Sequence, residues 1–169
     1  MKKYSIYYSL WISITTALYA VIYLSSPLGN YGIMWMTFVS LPIFFTAGAK
    51  LQELPHYICS MVAGIIWGII NLWFIQLIIS QGLGSTWANA LNLLLITIVC
   101  LVIHFVLLGE TWFGKVPMLF GGLSMTFSQG GKNLLPVGMT LLCGLLLGVV
   151  FSTGGNWLEK KFLIVDNEQ

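Results

Sequence analysis

Apolar residues in this chain run in long blocks divided by short breaks, and its charged residues all fall outside the blocks. Blocks of that length are membrane-spanning material, because about 20 apolar residues are needed to cross the hydrocarbon core as a straight helix. Six spans are predicted, at roughly residues 8–24, 32–47, 55–80, 87–108, 116–127 and 135–151. The first, third, fourth and sixth reach full length with their flanks. The second and fifth are marginal and carry helix-weakening residues, Pro42 in one and Pro117 with the pair Gly121-Gly122 in the other. Four full spans plus two re-entrant or broken ones is the rival count, and the sequence leaves both open.

The second half of the chain repeats the first. Residues 31–50 laid on 113–132 without a gap match at Gly32/Gly114, Met36/Met118, Phe38/Phe120, Leu41/Leu123, Phe45/Phe127, Gly48/Gly130 and Lys50/Lys132. Tyr31 faces Phe113, and Thr46 faces Ser128. Downstream, Ser60, Gly64 and Gly68 fall opposite Thr140, Gly144 and Gly148. Shared apolar composition explains the Leu and Phe matches but not the Gly and Lys ones. With three spans per half, an odd number, the second copy must enter the bilayer upside down. The expected fold is therefore all-α and integral to the membrane, with six transmembrane helices in two three-helix inverted repeats. The first repeat covers about 5–80 and the second about 87–153 of a single membrane domain, with a cytoplasmic tail at 154–169. The second and fifth spans are expected to be interrupted or broken.

Composition agrees. The chain is 58% hydrophobic and 7% charged, with mean hydropathy +0.91, so its surface must face lipid. A net charge of +2 without any Arg is no nucleic-acid footprint. Lys2, Lys3, Lys50, Lys115, Lys160 and Lys161 fall on one side of a six-span arrangement, leaving Lys132 on the other. The positive-inside rule makes the lysine-rich side, with both termini, cytoplasmic. The loops at 25–30 and 81–86 are uncharged. Trp35, Trp87, Trp112 and Trp157 lie near predicted span ends, where indole rings favour the interface. The first apolar run is too long for a cleaved signal peptide and lacks an A-x-A-like site. Cys59, Cys100 and Cys143 sit apart in apolar stretches and read as buried free thiols.

The sharpest candidate chemistry is the repeated end of the short spans. Phe45, Thr46, Gly48 and Lys50, matched by Phe127, Ser128, Gly130 and Lys132, each combine an aromatic, a hydroxyl, exposed backbone and a lysine. Weakened helices at matching places in two halves point to a solute path, because freed backbone groups can bind solute. Ordinary termination, with Gly at the C-cap and Lys reaching to the headgroups, explains each motif singly. Ser60, Gly64 and Gly68 on one helix, and Thr140, Gly144, Gly148 and Ser152 on another, follow the spacing of four that lets helix backbones approach closely. They read as helix-packing residues joining the halves or two protomers.

On the fourth span Asn89, Thr97, Cys100 and His104 share one face, flanked by Asn92. Ser9, Ser13, Thr16 and Tyr23 do the same on the first. Such faces should look away from lipid. His104 has two readings, a pH gate and a neutral hydrogen-bonded interhelical histidine. His56 begins the third span at the interface. The acids Glu53, Glu110, Glu159, Asp166 and Glu168 fall in loops or tail, so no midspan carboxylate is present to couple transport to an ion. No metal-ligand spacing, phosphate loop or nucleophile–base pair appears, and neither an enzyme activity nor a cofactor is expected.

Residues 41–68, and more strongly 116–157, carry a family likeness. Its core is Phe120-Gly121-Gly122-Leu123-Ser124-Met125-Thr126-Phe127, continued in 133–148 with Leu135-Pro136 and Gly144. In these stretches the chain resembles the YcdZ/YahC-like family of small bacterial inner-membrane proteins of unknown function. That resemblance implies a bacterial cytoplasmic-membrane location and transfers no catalytic residue. The expectation is a facilitative channel or uniporter for a small polar solute of the urea, ammonia, short-amide or short-carboxylate class. Phe45 and Phe127 would form its constrictions, and Thr46 and Ser128 would supply hydrogen bonds. Lysines at both mouths favour a neutral or anionic solute over a metal cation. The expected partners are the bilayer, the solute and further copies in a small homo-oligomer. The competing expectation is a non-transporting scaffold or accessory subunit that packs on another membrane protein.

Overall fold

The computed structural model describes residues 2–166, and among them there is helix but no strand. The helices are α1 (Lys2–Ser25), α2 (Thr37–Phe45), α3 (Leu54–Ser80), α4 (Ser85–Leu101), α5 (Val116–Ser128) and α6 (Leu134–Asp166). Short 3₁₀ turns at Pro27–Tyr31, Met34–Met36 and Leu51–Glu53 join the first three. A π-helical turn, Val102–Leu107, continues α4. Four helices are long and apolar enough to cross a membrane: Lys3–Ser25, Leu51–Ser80, Ser85–Leu107 and Leu134–Phe162. Met34–Phe45 and Val116–Ser128 are apolar but shorter. At 1.5 Å per residue the 13 residues of α5 reach about 20 Å, well short of a core about 30 Å thick.

The short helices are cut at their ends and are not broken inside. Pro42 lies within α2, which continues through it to Phe45. Pro117 occupies the first turn of α5, where its missing N–H has no intrahelical partner to lose. Gly121 and Gly122 are both helical and buried. The expected interruption at these residues is thus replaced by clean helices with sharp stops. The sixth helix also outruns its expected end at Phe151. It continues through Gly154 and Gly155, which admit the rings of Trp11 and Tyr8 from α1.

Packing joins the two halves. α2 packs chiefly on α6, and α5 chiefly on α3, while α1 lies on α6 and α4 on α3. Small residues set these distances. A Cβ on Gly64 would overlap the Leu119 carbonyl oxygen and stand 2.8 Å from its carbon and 3.0 Å from Leu123 N. A Cβ on Gly68 would stand 2.6 Å from Thr126 Cβ. On the other seam a Cβ on Gly144 would overlap the Thr37 carbonyl oxygen and lie 3.1 Å from Leu41 N. One on Gly148 would meet Phe44 at 3.4 Å. Ser40 Oγ donates to the Leu141 carbonyl at 2.6 Å, and a Cβ on Gly122 would overlap the Met61 carbonyl oxygen.

These contacts also fix direction. Residue numbers rise together along α2 and α6, and along α3 and α5, so each of those pairs is parallel. Trp11 bonds Val150 O while Tyr23 meets Thr140, so α1 and α6 are antiparallel. Trp67 with His104, and Asn71 with Asn92, make α3 and α4 antiparallel. The main core gathers Met36, Phe44, Met118, Leu141 and Leu145, all fully buried. α1 and α4 stay peripheral and present Ile6, Leu10, Leu18, Leu94, Ile98 and Val106 outward. Exposed apolar faces of this kind suit lipid, where close packing of backbones replaces the missing hydrophobic drive between helices.

Candidate functional site

Phe45, Thr46, Gly48 and Lys50 form the C-terminal stop of α2. Gly48 N–H donates to Phe45 O at 2.9 Å and Ala49 N–H to Phe44 O at 3.1 Å, with Gly48 at φ 91° and Ala49 at φ 44°. α5 ends the same way. Gly130 N–H donates to Phe127 O at 2.9 Å and Gly131 N–H to Thr126 O at 3.0 Å, with φ 56° and 75°. Left-handed residues here turn otherwise orphan carbonyls into a closed cap. The hydroxyls serve the same helices: Thr46 Oγ1 donates to Pro42 O at 2.7 Å and Ser128 Oγ to Met125 O at 2.8 Å. Both are therefore already paired within their own helices.

The two caps do not converge. Phe44 packs on Tyr57 with tilted rings 4.7 Å apart, at the start of α3, whereas a Cβ on Gly131 would lie 3.1 Å from Leu72, in its second half. Fifteen residues of α3 separate Tyr57 from Leu72, about 22 Å of helix. Phe45 and Phe127 thus sit toward opposite ends and cannot form facing constrictions. Phe45 instead lies edge-on to Phe151 at 6.2 Å. The short helices cross midway, where a Cβ on Gly121 would stand 3.7 Å from Val39 and 3.4 Å from Ile43.

At the α2 cap, Phe45, Gly48 and Lys50 line a pocket of about 480 Å³. Tyr4 and Tyr8 of α1 and Ser152, Gly155 and Asn156 of α6 complete it. Tyr4 and Tyr8 stack at 5.7 Å, and Ser152 Oγ donates to Gly48 O at 3.3 Å. Lys132, matched to Lys50 in sequence, is exposed beside the α5 cap. Just before α3 and α5, Glu53 and Lys115 form an ion pair at 2.5 Å, both partly exposed.

His104 is buried within the π-helical turn, one turn on from buried Cys100, while Phe105, Val106 and Leu107 face out. The Trp67 indole N–H donates to Nε2 at 3.0 Å, and Nδ1 lies 2.8 Å from the Phe113 carbonyl oxygen. An indole nitrogen only donates, so Nε2 accepts and Nδ1 carries the proton to Phe113 O, as in a neutral imidazole. Beside it, Asn92 Nδ2 donates to Asn71 Oδ1 at 2.8 Å and Asn71 Nδ2 to Trp67 O at 2.6 Å, while Asn92 Oδ1 is buried with no partner among the described residues. Cys100 is buried on this face, and Asn89 is exposed near its start. On the first span the upper stripe turns inward, with Tyr19 on Thr37 and Tyr23 on Thr140 at 2.6 Å. Ser9 and Ser13 face outward. Trp67 and Asn71 escaped the sequence reading, although a midspan Asn one turn from a Trp was the available signal. Ser60 accepts from Lys115 N–H at 3.0 Å and so ties α3 to the start of α5. Among the described residues no cluster of three His, Cys, Asp or Glu could hold a metal ion.

The long apolar helices, the outward apolar faces and the small-residue seams are those of a polytopic membrane protein. Within that class the chain belongs to the family described as protein of unknown function (DUF1097), whose model matches residues 9–156. Neither a curated protein nor a solved structure matches the chain.

Proposed function

We propose that this protein is a facilitative channel or uniporter for a small polar solute, built from two inverted three-helix halves in the bacterial cytoplasmic membrane. The observation that carries the reading is the correspondence of contacts between halves. Gly64 meets Leu119 and Leu123, as Gly144 meets Thr37 and Leu41, residues at the same places in the two repeats. Gly68 with Thr126 answers Gly148 with Phe44, and Gly122 against Met61 answers Ser40 against Leu141. The parallel packing of α2 with α6 and of α3 with α5 fits alternating passes, which invert the second half. Inverted halves of this kind recur in proteins that carry solutes across bilayers.

On this reading the short helices take part in six passes, Lys50 and Lys132 mark opposite mouths, and the mouth with Lys50 and both termini is cytoplasmic. The pocket at the α2 cap supplies a vestibule whose hydroxyl, amide and ammonium lining suits a small neutral or anionic solute. His104, locked between Trp67 and Phe113, acts as a structural tie and not as a gate. The test is swelling or efflux in proteoliposomes across urea, short amides and short carboxylates. At least one solute should cross faster than through protein-free vesicles, and no difference for any of them would reject the proposal. A second reading, a non-conducting accessory subunit, draws support from the closed midsection, where Phe44, Met118, Leu119, Leu141 and Leu145 are fully buried.

A further inference from the structure

We infer that the pocket at the C-terminal end of α2 binds an oxyanion, a carboxylate or phosphate group, through Lys50, Tyr4, Tyr8 and Asn156. This names a ligand class for the vestibule proposed above, and it rests on that reading for passage of the ligand but not for its binding. The lining is weighted toward donors. An ammonium offers three N–H groups and no acceptor, an amide offers two, and each phenol offers one. The lining contains no carboxylate. Glu159, the first acid further along α6, lies outside it. Among the described residues Lys50 makes no ion pair; Glu53, which also feels its charge, is paired with Lys115, and the polar ends of Tyr4, Tyr8 and Asn156 make no hydrogen bond.

Two further features make this a shaped site. The left-handed turn at Gly48 brings Lys50 back over it, with Cε 4.0 Å from where a Cβ on Gly48 would stand. Gly155 is buried, and a Cβ there would press to 2.9 Å on the Tyr8 ring, so a glycine is what lets Tyr8 line the cavity. Ser152 meanwhile engages the Gly48 carbonyl, an acceptor that would otherwise face the anion. Charge-assisted hydrogen bonds from such a set are about twice as strong as neutral ones, which favours an ionised oxygen over a carbonyl. The oxyanion has two sources, a small anion from water and the phosphate of an anionic phospholipid.

Binding is tested on the purified full chain in neutral-lipid nanodiscs, by calorimetry and ligand-induced thermal shift. The probes are acetate, inorganic phosphate and added phosphatidylglycerol, with urea as the neutral control. At least one anionic probe should bind, and Lys50→Gln should weaken it tenfold or more, with Asn156→Leu severalfold. Lys132→Gln, the same place in the other half, should leave it unchanged. Binding of acetate or phosphate assigns the aqueous anion, and a response to phosphatidylglycerol alone assigns the headgroup. No anionic binding, binding indifferent to Lys50→Gln, or urea binding as tightly as the anions overturns the inference. Lys50 is exposed, so a normal melt of the unliganded variant excludes misfolding, and Asn156→Leu repeats the test if it does not. Lys50-dependent binding without flux of any solute retains the site and rejects the conduit. Flux without anionic binding does the reverse.

Discussion

Replacing Gly64 by Ala adds one carbon at the tightest point of the α3–α5 seam. That carbon would overlap the Leu119 carbonyl oxygen and stand 2.8 Å from its carbon, below the 3.4 Å at which ordinary contact begins. The obstacle is helix backbone, so no side chain can swing away. The seam must open by roughly half an ångström or more, and tightly packed interiors transmit such a shift along the whole interface. Overpacking of this kind costs about 3 kcal/mol. Alanine returns about 1 kcal/mol through its better helix propensity. The net loss of about 2 kcal/mol lowers the melting temperature by roughly 4–8 °C for a chain of this size. Gly138 is the internal control, because a Cβ there meets only Ile65 Cδ1 at 3.6 Å, and Gly138→Ala should melt at or above the parent. Gly144→Ala should behave like Gly64→Ala, and Gly148→Ala should fall between. Unfolding in mild detergent can be followed with a thiol-reactive dye in a background lacking Cys59 and Cys143, which are only half-buried against expectation, since Cys100 is 2% exposed. If Gly64→Ala and Gly138→Ala melt together, the close approach of α3 and α5 is not what holds the halves.

Three further outcomes are expected. Trp67→Phe removes the hydrogen bond that His104 Nε2 accepts and strands a buried acceptor, for a loss of about 1–3 kcal/mol in the same thermal assay. Asn71→Leu should destabilise more than the double change Asn71→Leu with Asn92→Leu, because the single change leaves the buried Asn92 amide without its acceptor. An equal or larger loss in the double variant would remove that pair from the account. Single cysteines at positions 50 and 132, in a background lacking the native three, should react with an impermeant thiol reagent from opposite sides of the membrane. Reaction from one side only would end the inverted arrangement.

Where the helices lie was readable because lipid leaves little else for long apolar blocks to become. The spacing of Gly64 with Gly68 and of Gly144 with Gly148 was readable for a related reason, since only small residues at that interval allow such contact. Which helix each stripe touches was not, because spacing on one helix does not name its neighbour. The Gly48 and Gly130 motifs were visible as a pair, but path and cap share the same residue types, and the positive φ angles with their closing hydrogen bonds decide how they are used. Pro42 does not break α2. It removes one N–H from a nine-residue helix, at a position exposed on the outside of the protein. The π-helical turn that carries His104 has no sequence signal, and neither its Trp67 donor nor its Phe113 acceptor can be read from spacing on one helix.

The crossed pairing of α2 with α6 and of α3 with α5 has a consequence for biosynthesis. α2 finds its main neighbour only when α6 is made, and until then it has only its crossing with α5 and the Tyr19 contact from α1 to hold it. Neither half can finish its tertiary structure before its partner helix in the other half is made. A chain stopped after the fifth helix would leave α2 for quality-control proteases to recognise, however well its other segments had been inserted.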